Sequence, residues 1–104
     1  MFKNDGTFYI LRSVLSSRNN SLHGKVVNTV CEPITFEVGE RGFFRSLMED
    51  GQWHTIITTA IEKLEMPDGY NRIIVSTMNS VYTFEKADAS VVMKVSGAEN
   101  ENEI

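Results

Sequence analysis

The stretch GERGFFRSLMEDGQW, residues 39–53, contains the pattern that decides the fold. Neighbouring side chains of a β-strand point to opposite faces of the sheet, so Phe43 and Phe44 must contact different surroundings. Each face also carries a polar side chain, Arg45 beside Phe43 and Ser46 beside Phe44. A phenylalanine that the chain covers belongs to the core, whereas an uncovered one marks a surface for a partner.

Alternation with a period of two, interrupted by turn signals, extends from this stretch in both directions. Asp-Gly at residues 50–51 and Pro-Asp-Gly at residues 67–69 are typical of tight turns. A predicted strand at residues 52–60 continues with a bend through residues 61–66. The other predicted strands are residues 7–14, 25–31, 34–38, 42–48, 72–77 and 81–85.

Three segments have a less regular pattern. Aromatic and β-branched residues favour a strand at residues 7–14, although Phe8, Leu11 and Leu15 also fall at helical spacing. The polar residues 16–24 predict a loop. Pro33 is expected to interrupt the hydrogen-bonded ladder, because proline has no N–H to donate.

Short strands at this spacing predict an all-β fold, a small antiparallel barrel or sandwich with an N-terminal β-hairpin addition. A barrel is favoured because closure removes exposed sheet edges. We expect one domain at residues 1–86, with the hairpin at 1–31 and the barrel at 32–86. The hairpin is expected to pack over the outside of the barrel or to extend its sheet. Residues 87–104 predict a short strand or helix and then an acidic, disordered tail.

The composition of the chain restricts which partners and which cellular location are expected. The 104 residues carry a net charge of −4, but residues 1–31 hold four basic residues and one acid, a net charge of +3. Cys31 is the single cysteine, so no disulfide can form within the chain. With no signal-peptide pattern and no apolar run long enough to span a bilayer, the sequence predicts a cytoplasmic protein without a membrane partner.

Catalytic and metal-binding patterns are not found in the sequence. Cys31, His23 and His54 lack the paired spacing of a metal site, and no phosphate- or dinucleotide-binding motif is present. Cys31 lies beside Glu32, a carboxylate that would raise the thiol pKa and oppose nucleophilic reactivity. We therefore expect a protein that is not an enzyme and that has no cofactor or metal.

GERGFFR and the closing run TMNSVYTFE, within residues 34–85, resemble a pattern in short phage and prophage accessory proteins, which often form SH3-like barrels. The resemblance implies a mobile-element accessory protein in the bacterial cytoplasm. That class includes inhibitors of host defence such as anti-CRISPR proteins. No functional residue is implied.

The leading hypothesis is a phage-type protein that acts by binding a host or phage protein, with inhibition of host defence as the expected role. The alternative is a nucleic-acid-binding protein that uses the basic N-terminal hairpin, with Phe8 and Tyr9 beside the basic residues. Homodimerisation through a leftover apolar face is compatible with either hypothesis. The residues predicted to bind are Arg12, Arg18, Lys25, Arg41, Phe44 and Arg45.

Overall fold

The computed structural model describes residues 2–4, 6–18 and 20–88, and these form seven strands and one helix. No helix within these ranges is long and apolar enough to cross a membrane. Of the short strand or helix and the acidic tail that are predicted at residues 87–104, only residues 87 and 88 are among the described residues. The elements are β1 (Phe2–Lys3), β2 (Tyr9–Ser16), α1 (Ser21–Val26), β3 (Val30–Phe36), β4 (Arg41–Leu47), β5 (Trp53–Glu65), β6 (Arg72–Thr77) and β7 (Ser80–Lys86).

Strands β2 to β7 form a closed six-stranded antiparallel barrel. Each strand pairs with the next one in the chain, and β7 returns to pair with β2. The short β1 adds to β3 outside this ring. The predicted small all-β barrel is therefore confirmed, and residues 7–14 contribute a strand rather than a helix.

The N-terminal hairpin, β2 and β3, supplies two of the six barrel strands. These two strands connect the ring at both ends, to β7 and to β4. β2 pairs with β7 from Tyr9 to Ser16, while β3 pairs with β4 from Cys31 to Thr35. Strand pairing is therefore continuous through residue 31. The barrel includes residues from both of the expected segments, 1–31 and 32–86.

The two neighbouring phenylalanines, Phe43 and Phe44, face opposite sides of the barrel wall. Phe44 points into the barrel with none of its surface exposed, and its ring contacts Phe84 edge-on at 5.1 Å between centroids. Phe36 packs against Phe84 at 5.6 Å. Phe43 points outward and is half-buried. The prediction that Phe44 is a binding residue is therefore wrong, because alternation assigns the outer surface to its neighbour.

Helix α1 occupies a segment that the sequence predicts as a loop followed by a strand. The side chain of Asn20 caps the helix by accepting a hydrogen bond of 2.9 Å from the N–H of Leu22. Val26, at the end of the helix, is almost completely buried. Burial of this one side chain favours the helix over the strand predicted from Lys25, and β3 begins only at Val30.

Pro33 lies within β3, opposite Phe44, rather than ending the ladder. Two features of the strand make this position suitable for proline. The register with β4 shifts between Pro33 and Thr35, and on its other side β3 changes partner from β2 to β1. Proline is tolerated at bulges, where the sheet does not require its N–H.

Strand β5 is thirteen residues long and changes neighbours halfway along, which bears out the predicted continuation of residues 52–60. Residues Trp53 to Ala60 pair with β4. Residues Ile61 to Glu65 pair with β6. Its N-terminal half therefore has a β-neighbour on one side only among the described strands.

Candidate protein-binding face on strands β3 to β5

An aromatic and cationic stack lies on the outside of the barrel around Trp53. The ring of Phe8 stacks on the indole at 5.9 Å between centroids, with 17° between the planes. The guanidinium carbon of Arg45 lies 4.9 Å from the centroid of the Trp53 ring. A cation over an indole contributes about 0.5–1 kcal/mol at an exposed site.

Glu32 of β3 holds Arg45 in this position. The register of β3 and β4 places the two residues opposite each other. The Nε and Nη2 atoms of Arg45 donate hydrogen bonds of 2.9 and 2.6 Å to Oε1 of Glu32. Because two donors converge on one carboxylate oxygen, the guanidinium plane is oriented as well as neutralised. Trp53 and Arg45 thus form a preorganised anchor pair on the surface.

Four exposed or half-buried apolar side chains of β3 to β5 and the β3–β4 turn, Ile34, Val38, Phe43 and Ile57, are called the apolar patch below. Ile34, Val38 and Ile57 are 40%, 56% and 52% exposed. Phe43 and Ile57 are cross-strand partners, and Ile34 lies in the bulge opposite Phe43. A β-bridge from Val38 to Ile61 holds the β3–β4 turn against β5.

Charged residues border the apolar patch. A shallow depression of about 380 Å³ contains Phe43 on its surface, with Glu37, Glu40 and Arg41 around it. An apolar centre with a polar rim is the usual anatomy of a protein–protein interface. Trp and Arg are also the residues most enriched among interface hot spots. The outer surface of β3 to β5 therefore has the composition of a binding face.

The structure does not bring the predicted basic residues together. Arg12, on the outside of β2, lies 3.8 Å from Glu85 of β7. Arg18 lines a cleft between α1 and β5, whereas Lys25 lines a separate cavity of about 770 Å³ between α1 and the β4–β5 turn. Of the six residues predicted to bind, only Arg41 and Arg45 lie on the face of β3 to β5.

The residues that were considered for catalysis and metal binding are dispersed. Burial raises the pKa of the Cys31 thiol, and Glu32, which was expected to have that effect, is instead bonded to Arg45. His54 forms a 2.9 Å contact with Asp50, while His23 lies 3.3 Å from the hydroxyl of Tyr82. Within the described ranges, no three His, Cys, Asp or Glu side chains cluster as a metal site would require.

The apolar patch was missed as a unit by the sequence analysis. Alternation within each strand indicates that Phe43 and Ile57 share one side of the sheet, once the register of β4 and β5 is known. That register depends on the bulge between Arg41 and Phe43, which no sequence signal marks. The sequence matches no family model, and neither a curated protein nor a solved structure is significantly similar to it.

Proposed function

We propose that this protein is a non-enzymatic binding module whose partner is another protein, bound on the outer surface of β3 to β5. The observation that carries the proposal is the apolar patch, which leaves Ile34 of β3, Val38 of the β3–β4 turn and Ile57 of β5 in solvent. Single exposed aliphatic residues are common on monomers, but several on one part of the surface with charged neighbours favour an interaction site.

The neighbouring stack supplies the energy and the selectivity that such an interface requires. Trp53 is already oriented by Phe8 and Arg45, so little side-chain entropy would be lost on binding. Arg45 and Glu32 present both signs of charge at the edge of the patch. A protein surface with an apolar centre and mixed charges complements this arrangement better than the uniformly negative backbone of a nucleic acid.

The expected partner class comes from the resemblance to short phage and prophage proteins. That resemblance supports a mobile-element accessory protein acting in the bacterial cytoplasm on a host defence or replication protein, with inhibition as its mode of action. Inhibition by occupancy requires only a stable interface, which agrees with the absence of a recognised catalytic motif in the sequence. The identity of the partner is the part of the proposal that an experiment must supply.

A quantitative pull-down from bacterial lysate tests the proposal with three forms of the protein. The wild type is compared with the double variant Ile34→Lys/Val38→Lys, which places two charges in the patch, and with Thr83→Lys. Thr83 faces outward from β7, which is paired on both sides, so this control adds charge away from the patch. Circular dichroism and thermal melts check that all three forms fold.

We expect at least one protein to be enriched by the wild type and by Thr83→Lys and to be lost with the double variant. A second variant, Trp53→Ala, should weaken the same capture at least tenfold, as the loss of a hot-spot residue does. Enrichment that is the same for the wild type and the double variant, or no enrichment at all, would contradict the proposal.

A further inference from the structure

The N-terminal half of β5 has an open edge on the side away from β4. β6 pairs with β5 only from Ile61 onward, and no other described strand pairs with residues 53–60 on that side. Thr55 and Ile57 are both exposed at this edge. A cleft of about 230 Å³ runs beside Ile56 to Thr59, with α1 and Asn79 on its opposite wall.

The pairing with β4 determines which backbone groups point toward the open edge. Met48 donates its N–H to the carbonyl oxygen of Gln52, so these two residues form a hydrogen-bonded pair at the start of the ladder. Such pairs alternate along an antiparallel ladder, which directs the N–H and C=O groups of Ile56 toward β4. The corresponding groups of Thr55 and Ile57 therefore point outward, where they are available to another strand.

The residues of this open edge include none of the charges or prolines that often prevent edge pairing. Exposed edges in monomeric proteins are commonly protected by lysine, other charges or proline, or by being very short. Residues 53–60, WHTIITTA, contain no Asp, Glu, Lys, Arg or Pro. The paired half of the same strand, by contrast, carries Glu62, Lys63 and Glu65. β1, which pairs only with β3, has two residues, one of them Lys3.

We infer that the open edge of β5 pairs with the same edge of a second copy of this chain. Two-fold symmetry brings identical segments together in antiparallel orientation, so any charge on the edge would meet like charges of the other copy. The eight residues of the edge itself carry no formal charge, and the charged side chain beside them in the cleft is Arg18. A segment rich in threonine and isoleucine also has the β propensity that both strands of such a pair need.

The hydrogen-bond directions define the register of the pair. With Ile56 on the two-fold axis, Thr55 of one copy lies opposite Ile57 of the other, and their outward backbone groups can bond to each other. Leu22 of α1, which lines the cleft beside this edge and is 37% exposed, would be covered at the same time.

This inference goes beyond the proposed function and depends on different atoms. Dimerisation uses the backbone edge of β5, whereas partner binding uses outward side chains on β3 to β5. In the dimer the two apolar patches would adjoin at Ile57, so a partner with two binding sites would be held with higher avidity than by either patch alone.

Sedimentation velocity of the full chain from about 1 μM to about 1 mM covers the affinity range of weak and moderate dimers. The variants are Thr55→Lys, which places a charge on the edge, and Thr55→Pro, which removes an outward N–H and leaves the ladder to β4 intact. Thr83→Lys is the matched control for added charge. Amide exchange at Thr55 and Ile57 is followed in the wild type at both ends of the concentration range.

We expect the wild type and Thr83→Lys to dimerise, both Thr55 variants to weaken the dimer at least tenfold, and the two amides to become protected as concentration rises. If either Thr55 variant fails to fold, the remaining variant and the wild-type exchange decide the question. A wild type that remains monomeric, a dimer that persists in both Thr55 variants, a dimer equally weakened by Thr83→Lys, or exchange that is independent of concentration would overturn the inference.

Discussion

Replacing Gly42 with alanine tests the packing that joins β3, β4 and β5. A Cβ atom at residue 42 would lie 2.9 Å from Cδ1 of Phe36, 2.9 Å from Oγ1 of Thr58 and 3.2 Å from Cδ1 of Ile61. These distances are shorter than normal van der Waals contacts. Phe36 and Ile61 are buried, so they have little room to move away.

The expected loss of stability has three contributions. Overpacking a well-filled core costs about 1–3 kcal/mol. The hydrogen bond of 2.8 Å from the N–H of Gly42 to Oγ1 of Thr58 would be strained or lost, at a cost of about 0.5–1.5 kcal/mol. Alanine restricts the unfolded chain and returns about 0.4–1 kcal/mol. The net expectation is a loss of about 2 kcal/mol, or a decrease in Tm of roughly 8–16 °C.

Gly24, inside α1, provides a matched control, because its replacement by alanine is expected to change stability in the opposite direction. Apart from the two chain neighbours and the backbone of the helix itself, no heavy atom lies within 4 Å of an alanine Cβ at this position. Gly24→Ala should therefore stabilise the helix by about 0.5–1 kcal/mol. Thermal melts followed by circular dichroism measure both variants under identical conditions. If Gly42→Ala melts at or above the temperature of the wild type, the close packing of β3, β4 and β5 at residue 42 is wrong.

The other predictions concern single side chains. Phe44→Ala should lose about 3–5 kcal/mol of unfolding free energy, whereas Phe43→Ala should lose much less; equal losses in urea titrations would contradict their assignment to opposite faces. Asn20→Ala should cost about 1 kcal/mol through the lost helix cap, and no change in Tm would refute the cap. Because burial raises the folded-state pKa of Cys31 above its unfolded value, the folded thiol retains its proton as the unfolded thiol loses it, so stability should fall above about pH 9. Urea unfolding across that range should show a smaller alkaline loss for Cys31→Ala, and identical pH profiles would exclude the effect.

The sequence predicts the strands of this barrel better than their arrangement. β6 lies where its pattern predicts it, and the boundaries of β4 and β7 differ by one residue, because strict alternation and adjacent turn residues define them. The position of α1 could not be predicted, since the helix depends on the burial of Val26 under a tertiary contact. Pro33 within β3 depends likewise on a bulge and on a change of neighbouring strand.

The candidate site was predicted only in part, for a related reason. Arg41 and Arg45 were identified from charge, and both lie on the outer face of β3 to β5. Predicting the apolar patch required the relative register of three strands. Each bulge shifts that register by one residue. Phe44 was predicted to bind a partner but is buried, whereas the ring that faces outward, the half-buried Phe43, is one residue earlier in the strand.

Site-specific photocrosslinking in bacterial cells tests the central claim, that the outer surface of β3 to β5 binds another protein, most directly. A photoreactive phenylalanine analogue is placed at Phe43 in the apolar patch and, in a second protein, at Thr83 on β7. Illumination should link the Phe43 form to a discrete protein of different sequence, while the Thr83 form gives no such adduct. Equal labelling at both positions, or no adduct at Phe43 with a stably folded and expressed protein, would contradict the claim.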